Sequence, residues 1–205
     1  MKAPARTRFA HLPTLIEELP RLSAVLGGPR IFVKRDDQTG LAFGGNKTRK
    51  LEFLIAEARA LGARTLLTAG AAQSNHCRQT AAAAAREGFD CVLVLNGEKP
   101  EEMTANLLLD TLFGARIVWV ADRADRERIQ KETFARLEAQ GRAPCFVPYG
   151  GSSPTGALGY AFAVDEFLSQ GLDADCMVFG TSSGGTHAGL VLGSRIFGYR
   201  GKVLG

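Results

Sequence analysis

The chain has 205 residues, 45% of them hydrophobic and 22% charged, which suits one soluble globular domain or one domain and part of a second. Its net charge of +4 comes from cations scattered along the chain without a basic run, and no stretch is long and apolar enough to span a bilayer, so neither a nucleic-acid nor a membrane partner is expected. The N-terminus MKAPARTRF lacks an apolar signal core, and Cys77, Cys91, Cys145 and Cys176 have no metal-knuckle spacing, so we expect a cytoplasmic protein with reduced thiols and no metal.

The first distinctive segment is FGGNKTRK, Phe43 to Lys50. It approaches a phosphate-binding loop, but Asn46 separates Gly45 from Lys47, so a Walker loop is not supported. A helix follows, with Leu51, Leu54, Ile55, Ala58 and Leu61 on one face and Gly62 as its stop. From Arg64 onward, β-rich runs alternate with helical patterns. The runs are TLLTAG (65–70), CVLVL (91–95), RIVWV (116–120), CFVP (145–148), CMVFG (176–180) and KVLG (202–205). The helices between them are predicted over 74–87, 101–113, 123–140, 154–170 and 186–197. Such alternation predicts an α/β fold with a mostly parallel sheet covered on both faces. Cys91 and Cys176 lie in apolar runs, where a thiol is usually a core residue. A chain that stops in a forming strand at Gly205 reads as a truncation of something longer.

Three glycine-rich stretches carry the candidate chemistry, two of them at strand-to-helix turns, where open α/β sheets bind ligands. In GTSSGGTHAGL (180–190), Gly184 and Gly185 let backbone approach an anion, and Ser182, Ser183 and Thr186 add hydroxyls at a helix N-terminus. A glycine-rich turn that only packs a helix against a strand explains the same residues. In TAGAAQSNHCRQT (68–80), Ser74 or Asn75 would cap a helix, and a Cys77–His76 dyad is not expected because adjacent helical residues diverge by about 100°. His76 reads as a packing residue, and His187 stays ambiguous. FGGNKTRK is the sharpest of the three. Lys47, Arg49 and Lys50 crowd a helix N-terminus, where the dipole disfavours cations. That points to an anionic partner, or to a lysine whose pKa is meant to fall, as covalent catalysis needs.

Together, KRDDQTGLAFGGNKTRKLEFL, TAGAAQSNHCRQTAA, PYGGSSPTGALGYAFA and SSGGTHAGL resemble the D-cysteine desulfhydrase and 1-aminocyclopropane-1-carboxylate deaminase family, from about Arg8 to Gly205. The resemblance implies a two-domain pyridoxal 5'-phosphate enzyme of fold type II, similar to the tryptophan synthase β-subunit. Residues 1–50 and 158–205 would belong to an incomplete larger domain, and 51–157 would form the smaller one. Lys47 would bond the cofactor aldehyde and Lys50 would help hold the phosphate. Ser183, Gly184, Gly185 and Thr186, with Ser182 beside them, would cradle it. Asn75 would bond the phenolic oxygen, and Ser74 would contact the substrate carboxylate or assist proton transfer. Asn46 and Gln73 join Ser74 as substrate candidates.

The His residues of SNH and THAGL favour the desulfhydrase side, which would convert D-cysteine to pyruvate, hydrogen sulfide and ammonia. A cyclopropane-type deaminase or an L-cysteate sulfo-lyase are the neighbouring alternatives. The resemblance also implies a homodimer acting on a small amino acid. The family's longer chains imply that this one, if it ends at Gly205, is poorly stable or inactive alone. A non-catalytic cofactor-binding relative is the alternative from another class.

Overall fold

The computed structural model describes residues 4–205. Three elements precede the lysine helix: β1 (Ile16–Glu18), α1 (Pro20–Leu26) and β2 (Phe32–Lys34). The lysine helix is α2 (Lys47–Ala60). It is followed by β3 (Thr65–Ala71), α3 (Asn75–Glu87), β4 (Asp90–Asn96), α4 (Ala105–Leu112), β5 (Arg116–Val120), α5 (Arg126–Ala139), β6 (Pro144–Phe146), α6 (Pro154–Ser169), β7 (Cys176–Val178), α7 (Gly185–Phe197) and β8 (Lys202–Leu204). The expected alternation and parallel pairing are both present. β5, β4, β3 and β6 form a four-stranded sheet in that order, every pair parallel, and β7 pairs parallel with β8. The hairpin-like pairing of β1 with β2 is antiparallel.

The central strand shows why the sheet is buried on both faces. Thr65 to Gly70 of β3 are all buried, as a strand between two helical layers requires. On one face Leu66, Leu93 and Leu95 pack with Leu51, Leu54 and Ile55 of α2 and with the alanines of α3. On the other, Leu67, Ala69, Val92 and Val94 meet Leu137 of α5. Beyond α2, Tyr160, Val164 and Phe167 of α6 pack with Leu190 of α7 and with Tyr199. Here the backbones come close. A Cβ on Gly159 would lie 2.4 Å from the Arg49 carbonyl oxygen, and one on Gly189 would lie 2.3 Å from that of Ala157. α2 and α6 run unbroken through residues 50 and 158 and form the seam between the four-stranded sheet and α7.

Some expectations shift. α4 begins at Ala105 rather than Glu101, because Thr104 is extended and Ala105 has φ +47. The helix expected from Arg123 opens with one tight turn before α5. Leu61 lies past the end of α2 and is 72% exposed, so it is not on the buried face. Cys91 is a core residue, whereas Cys176 is only partly buried. No helix among the described residues is long and apolar enough to cross a membrane.

One buried cation ties these parts together. Arg49 is 1% exposed. Its guanidinium donates to both oxygens of Asp36 at 2.8 Å, both oxygens of Glu166 at 2.9 Å, and Thr14 Oγ1 at 3.0 Å. Lys34 adds a 2.7 Å bond to Glu166, and the Tyr160 hydroxyl donates to Asp36 at 2.8 Å. Burial alone would raise the Glu166 pKa, but Arg49 and then Lys34 outweigh it and hold the carboxyl at about 2, against 4.5 for a free glutamate. The folded pKa lies below the unfolded one, so this contribution to stability is complete above pH 4.5 and is lost as pH falls toward 2. Glu166→Gln should cost about 3 kcal/mol at neutral pH, since it breaks a buried pair. That cost should shrink across the same acid interval, as urea unfolding at stepped pH would read; parallel stability curves would remove Glu166 as the source.

Candidate active site

The four-stranded sheet has its switch point at β3. The chain moves outward from β3 to β4 and β5, then returns to place β6 on the other side of β3. Ligands settle at the carboxyl ends of strands at such a point. The segments that leave β3 and β6 there are AQSNH and PYGGSS, and α2 packs against the tight turn Tyr149–Gly151 of the second. A small cleft lies next to Gly150 of the second, lined by Asn46, Lys47, Gly180, Thr181, Ser182, Ser183, Gly184 and Thr186. The lysine loop and the serine–glycine loop, more than a hundred residues apart in sequence, therefore share one concavity.

Local chemistry explains the arrangement. Asn46 caps α2 in helical conformation without a side-chain bond, and no acid stands in the first turn. The N-cap of α7 is Gly184, which has φ +78 and no side chain with which to cap the helix. The start of α2 thus has no side-chain cap, and at the start of α7 it is a residue from another loop, Ser152, that meets the first N–H. Ser152 fastens the loops together: its hydroxyl lies 2.6 Å from the Ser183 hydroxyl and accepts the Gly185 N–H at 3.1 Å. Gly150, at φ +64, leaves open the space above them. A Cβ there would lie 2.6 Å from Ser183 Oγ and 3.6 Å from Lys47 Nζ.

The cleft is electrostatically incomplete. Lys47 Nζ has neither a hydrogen bond nor an ion pair among the described residues, and burial lowers its pKa. Lys50, one turn on and 1% exposed, makes a single bond, to the Gly150 carbonyl at 3.2 Å. Burial, then the charge of Lys47, brings its pKa down to about 7. His76 lies beneath, fully enclosed. Burial first, then Lys47 and Lys50, lower its pKa to about 3, so the ring is neutral. One ring nitrogen lies 2.9 Å from the Thr68 hydroxyl, which bonds the Val147 carbonyl, and Nδ1 has no partner in good geometry. Two amines without a carboxylate, hydroxyls at the start of a helix, and a missing Cβ over the lysine fit a phosphate-bearing aldehyde. The donor set is that of pyridoxal phosphate: an amine of lowered pKa for the carbonyl carbon and an anion cradle for the phosphate.

The remaining sequence candidates fall elsewhere. Ser74 caps α3, its oxygen accepting the Cys77 N–H at 3.2 Å. Asn75 and Gln73 are exposed and are held by α4. Asn106 donates to Asn75 Oδ1 at 3.0 Å and its N–H bonds Gln73 Oε1 at 2.9 Å. None of the three lines the cleft. Cys77 is buried, with its thiol pushed up to about 12 by burial, and His76 bonds Thr68 instead, so these two neighbours form no dyad. His187 packs edge-on to Phe179. Sequence reasoning assigned no role to Gly150, Ser152, Arg78 or Asn106. The PYGGSS glycines and serines were the available signal for the first two.

These features define an α/β protein with an unpaired, partly buried lysine facing an anion cradle at a sheet's switch point. The chain belongs to the pyridoxal-phosphate dependent enzyme family, whose model matches residues 7–205. It is 48% identical over 201 residues to a D-cysteine desulfhydrase of Klebsiella pneumoniae, covering 91% of this chain and 61% of that protein. It is 44% identical over 198 residues to a Pyrococcus abyssi protein provisionally named 1-aminocyclopropane-1-carboxylate deaminase, covering 94% and 59%. A crystal structure of an ACC deaminase homologue superposes with TM-score 0.90 at 38% identity, covering 98% of this chain and 62% of that one. Maize serine racemase, at 20% identity and TM-score 0.74, shares the fold. The chain thus spans about three fifths of the length of the first three of these relatives.

The Lys50 pKa gives this site a measurable signature. At pH 8 the amine is mostly neutral; a bound anion raises its pKa, so binding takes up a proton. Calorimetric titration with inorganic phosphate in buffers of different ionisation enthalpy should show uptake of up to about one proton at that pH, lost in Lys50→Met. No buffer dependence in the parent chain would mean Lys50 does not meet the anion.

Proposed function

We propose that this chain carries the cofactor-binding part of a pyridoxal-phosphate lyase that eliminates hydrosulfide from D-cysteine, giving pyruvate, hydrogen sulfide and ammonia. The observation that carries the reading is the Lys47 amine, free of any carboxylate and facing the Ser183–Thr186 loop. The 48% identity to a D-cysteine desulfhydrase supports the choice of substrate.

When bound, pyridoxal phosphate supplies the electron sink that makes the Cα proton of an amino acid acidic. The protein's own groups do the rest. Lys47 Nζ, whose pKa burial lowers, would hold the cofactor's carbonyl carbon and would act as general base toward the substrate's Cα proton. Ser183, Gly184, Gly185 and Thr186, with Ser182 at the mouth and Lys50 beneath, hold the phosphate through hydroxyls, N–H groups and charge. Asn75 donates to the phenolic oxygen. Ser74, with Asn46 and Gln73 as the further candidates, would meet the substrate carboxylate. We further propose two lobes, 51–157 forming the smaller, and a cytoplasmic homodimer.

A second reading has one specific support, the 44% identity to the protein provisionally named a deaminase of aminocyclopropane carboxylate. There the same lysine would serve a ring opening. L-Cysteate is a third candidate substrate.

Pyridoxal phosphate should give the chain a visible band that borohydride bleaches, with the reduced adduct mapped to Lys47. Lys47→Ala should abolish the adduct and lower turnover of D-cysteine by on the order of 10³-fold. An adduct with no sulfide from D-cysteine, but ammonia from aminocyclopropane carboxylate, would select the second reading. An adduct on another lysine would sink both.

A further inference from the structure

Asn75 is held by a side chain that has no other evident reason to be there. Arg78 Nη1 donates to Asn75 Oδ1 at 3.1 Å and to Asn106 Oδ1 at 3.0 Å. Its Nη2 donates to the Gly44 carbonyl at 2.8 Å, three residues before Lys47. One planar fork therefore joins the first turn of α3, the start of α4 and the lysine loop. Gln79 also donates to the Gly44 carbonyl, at 2.9 Å, so the loop contact has a second support. The grip on Asn75 depends on Arg78 and Asn106 alone.

The polarity of this cluster follows from chemistry. A guanidinium only donates, so both asparagines must turn their oxygens toward Arg78. Asn106 Nδ2 is then free to donate to Asn75 Oδ1 at 3.0 Å and to the Gln73 carbonyl at 2.8 Å, and it does both. The amide of Asn75 has its oxygen engaged twice and its nitrogen without a partner among the described residues. An amide that could flip would present donor or acceptor with similar ease; this one presents only its N–H₂. Behind the fork, Arg78 Nε is buried without an acceptor among the described residues, and both oxygens of Asp110 of α4 are buried without a donor among them, a carboxyl whose pKa burial raises to about 7. The guanidinium is therefore not fixed by an ion pair of its own, and its orientation comes from Gly44 and the two asparagines.

We propose that Arg78 is a positioning residue that locks the Asn75 amide with its nitrogen as the only group free to meet the cofactor. The inference rests on the reading that Asn75 bonds the cofactor's phenolic oxygen. An N–H donor at that oxygen favours its ionised form, which absorbs at longer wavelength. Without Arg78 only Asn106 Nδ2 still holds the amide oxygen, and that oxygen turns toward the same atom more often.

The test is a double-mutant cycle on the 205-residue chain, read by the dissociation constant for pyridoxal phosphate and by the ratio of its long- to short-wavelength bands at one pH. Arg78→Met keeps the stem and removes the fork. It should weaken the cofactor about tenfold and lower the band ratio, as should Asn75→Ala. The double variant should match Asn75→Ala within about twofold, because Arg78 acts through Asn75. An unchanged band ratio in Arg78→Met, or effects that simply multiply in the double variant, would overturn the proposal. If circular dichroism shows Arg78→Met to be unfolded, Asn106→Ala takes its place: the band ratio should fall, by less, and an unchanged ratio overturns the proposal equally. Should the unsubstituted chain form no borohydride-trapped adduct at Lys47, the cofactor reading itself falls and takes this inference with it. An adduct present, with Arg78 having no effect, sinks only the inference.

Discussion

The site depends on how one helix divides its charges. α2 starts with Lys47, Arg49 and Lys50 against the sign of its own dipole, with no acid in the turn to relieve them. Residues three apart share a helix face and residues two apart do not. Arg49 therefore turns away from the lysines and into Asp36 and Glu166, which neutralise it and anchor α2 to the N-terminal segment and α6. Lys47 and Lys50 remain on the other side, with one carbonyl as their polar partner among the described residues. The fold thus compensates one cation internally and leaves two for something that is not in the chain. Removing the compensated one would unsettle the frame, whereas the uncompensated pair costs stability and has its reason in a ligand.

How much of this was legible before the structure varied with the range of the interactions. The strand–helix alternation after Arg64 was clear, because buried parallel strands read as apolar runs and their helices keep a 3.6 period. The short β1, α1 and β2 carry too few residues to set up a period, and they went unassigned. Glu101 and Glu102 resemble a helix start by charge, yet α4 begins only at Ala105, where the backbone has positive φ. Lys47 stood out because a local rule, the dipole, was broken. Ser183 to Thr186 stood out through glycine and hydroxyl content at a strand end. Gly150 and Ser152 became visible as site residues only once α6 and α7 were packed, since their meaning lies in contacts about thirty residues away. Arg78 and Asn106 look like solvated helix residues in sequence, and nothing local marks them.

The likeness to serine racemase at 20% identity extends to the fold, and chemistry has to be argued from the site. What the site offers is an amine without an acid partner among the described residues and a hydroxyl-rich loop beside it. It says less about the group leaving from the substrate, since Ser74, Asn75 and Gln73 lie outside the cleft lining and are tied to α4. The identity to the desulfhydrase carries that part of the reading.

The close approach of α6 to α2 and α7 bears on how mutations accumulate in this protein. Every replacement of Gly159, Gly189 or Gly193 adds a Cβ within 2.4 to 2.5 Å or less of a backbone oxygen, so nearly all codon changes there are purged for packing alone. Invariance at those three positions across relatives would then say nothing about catalysis. Gly150 differs. Its missing Cβ opens onto Ser183 and Lys47, and drift at that one codon would mark a lineage that has changed what the cleft holds.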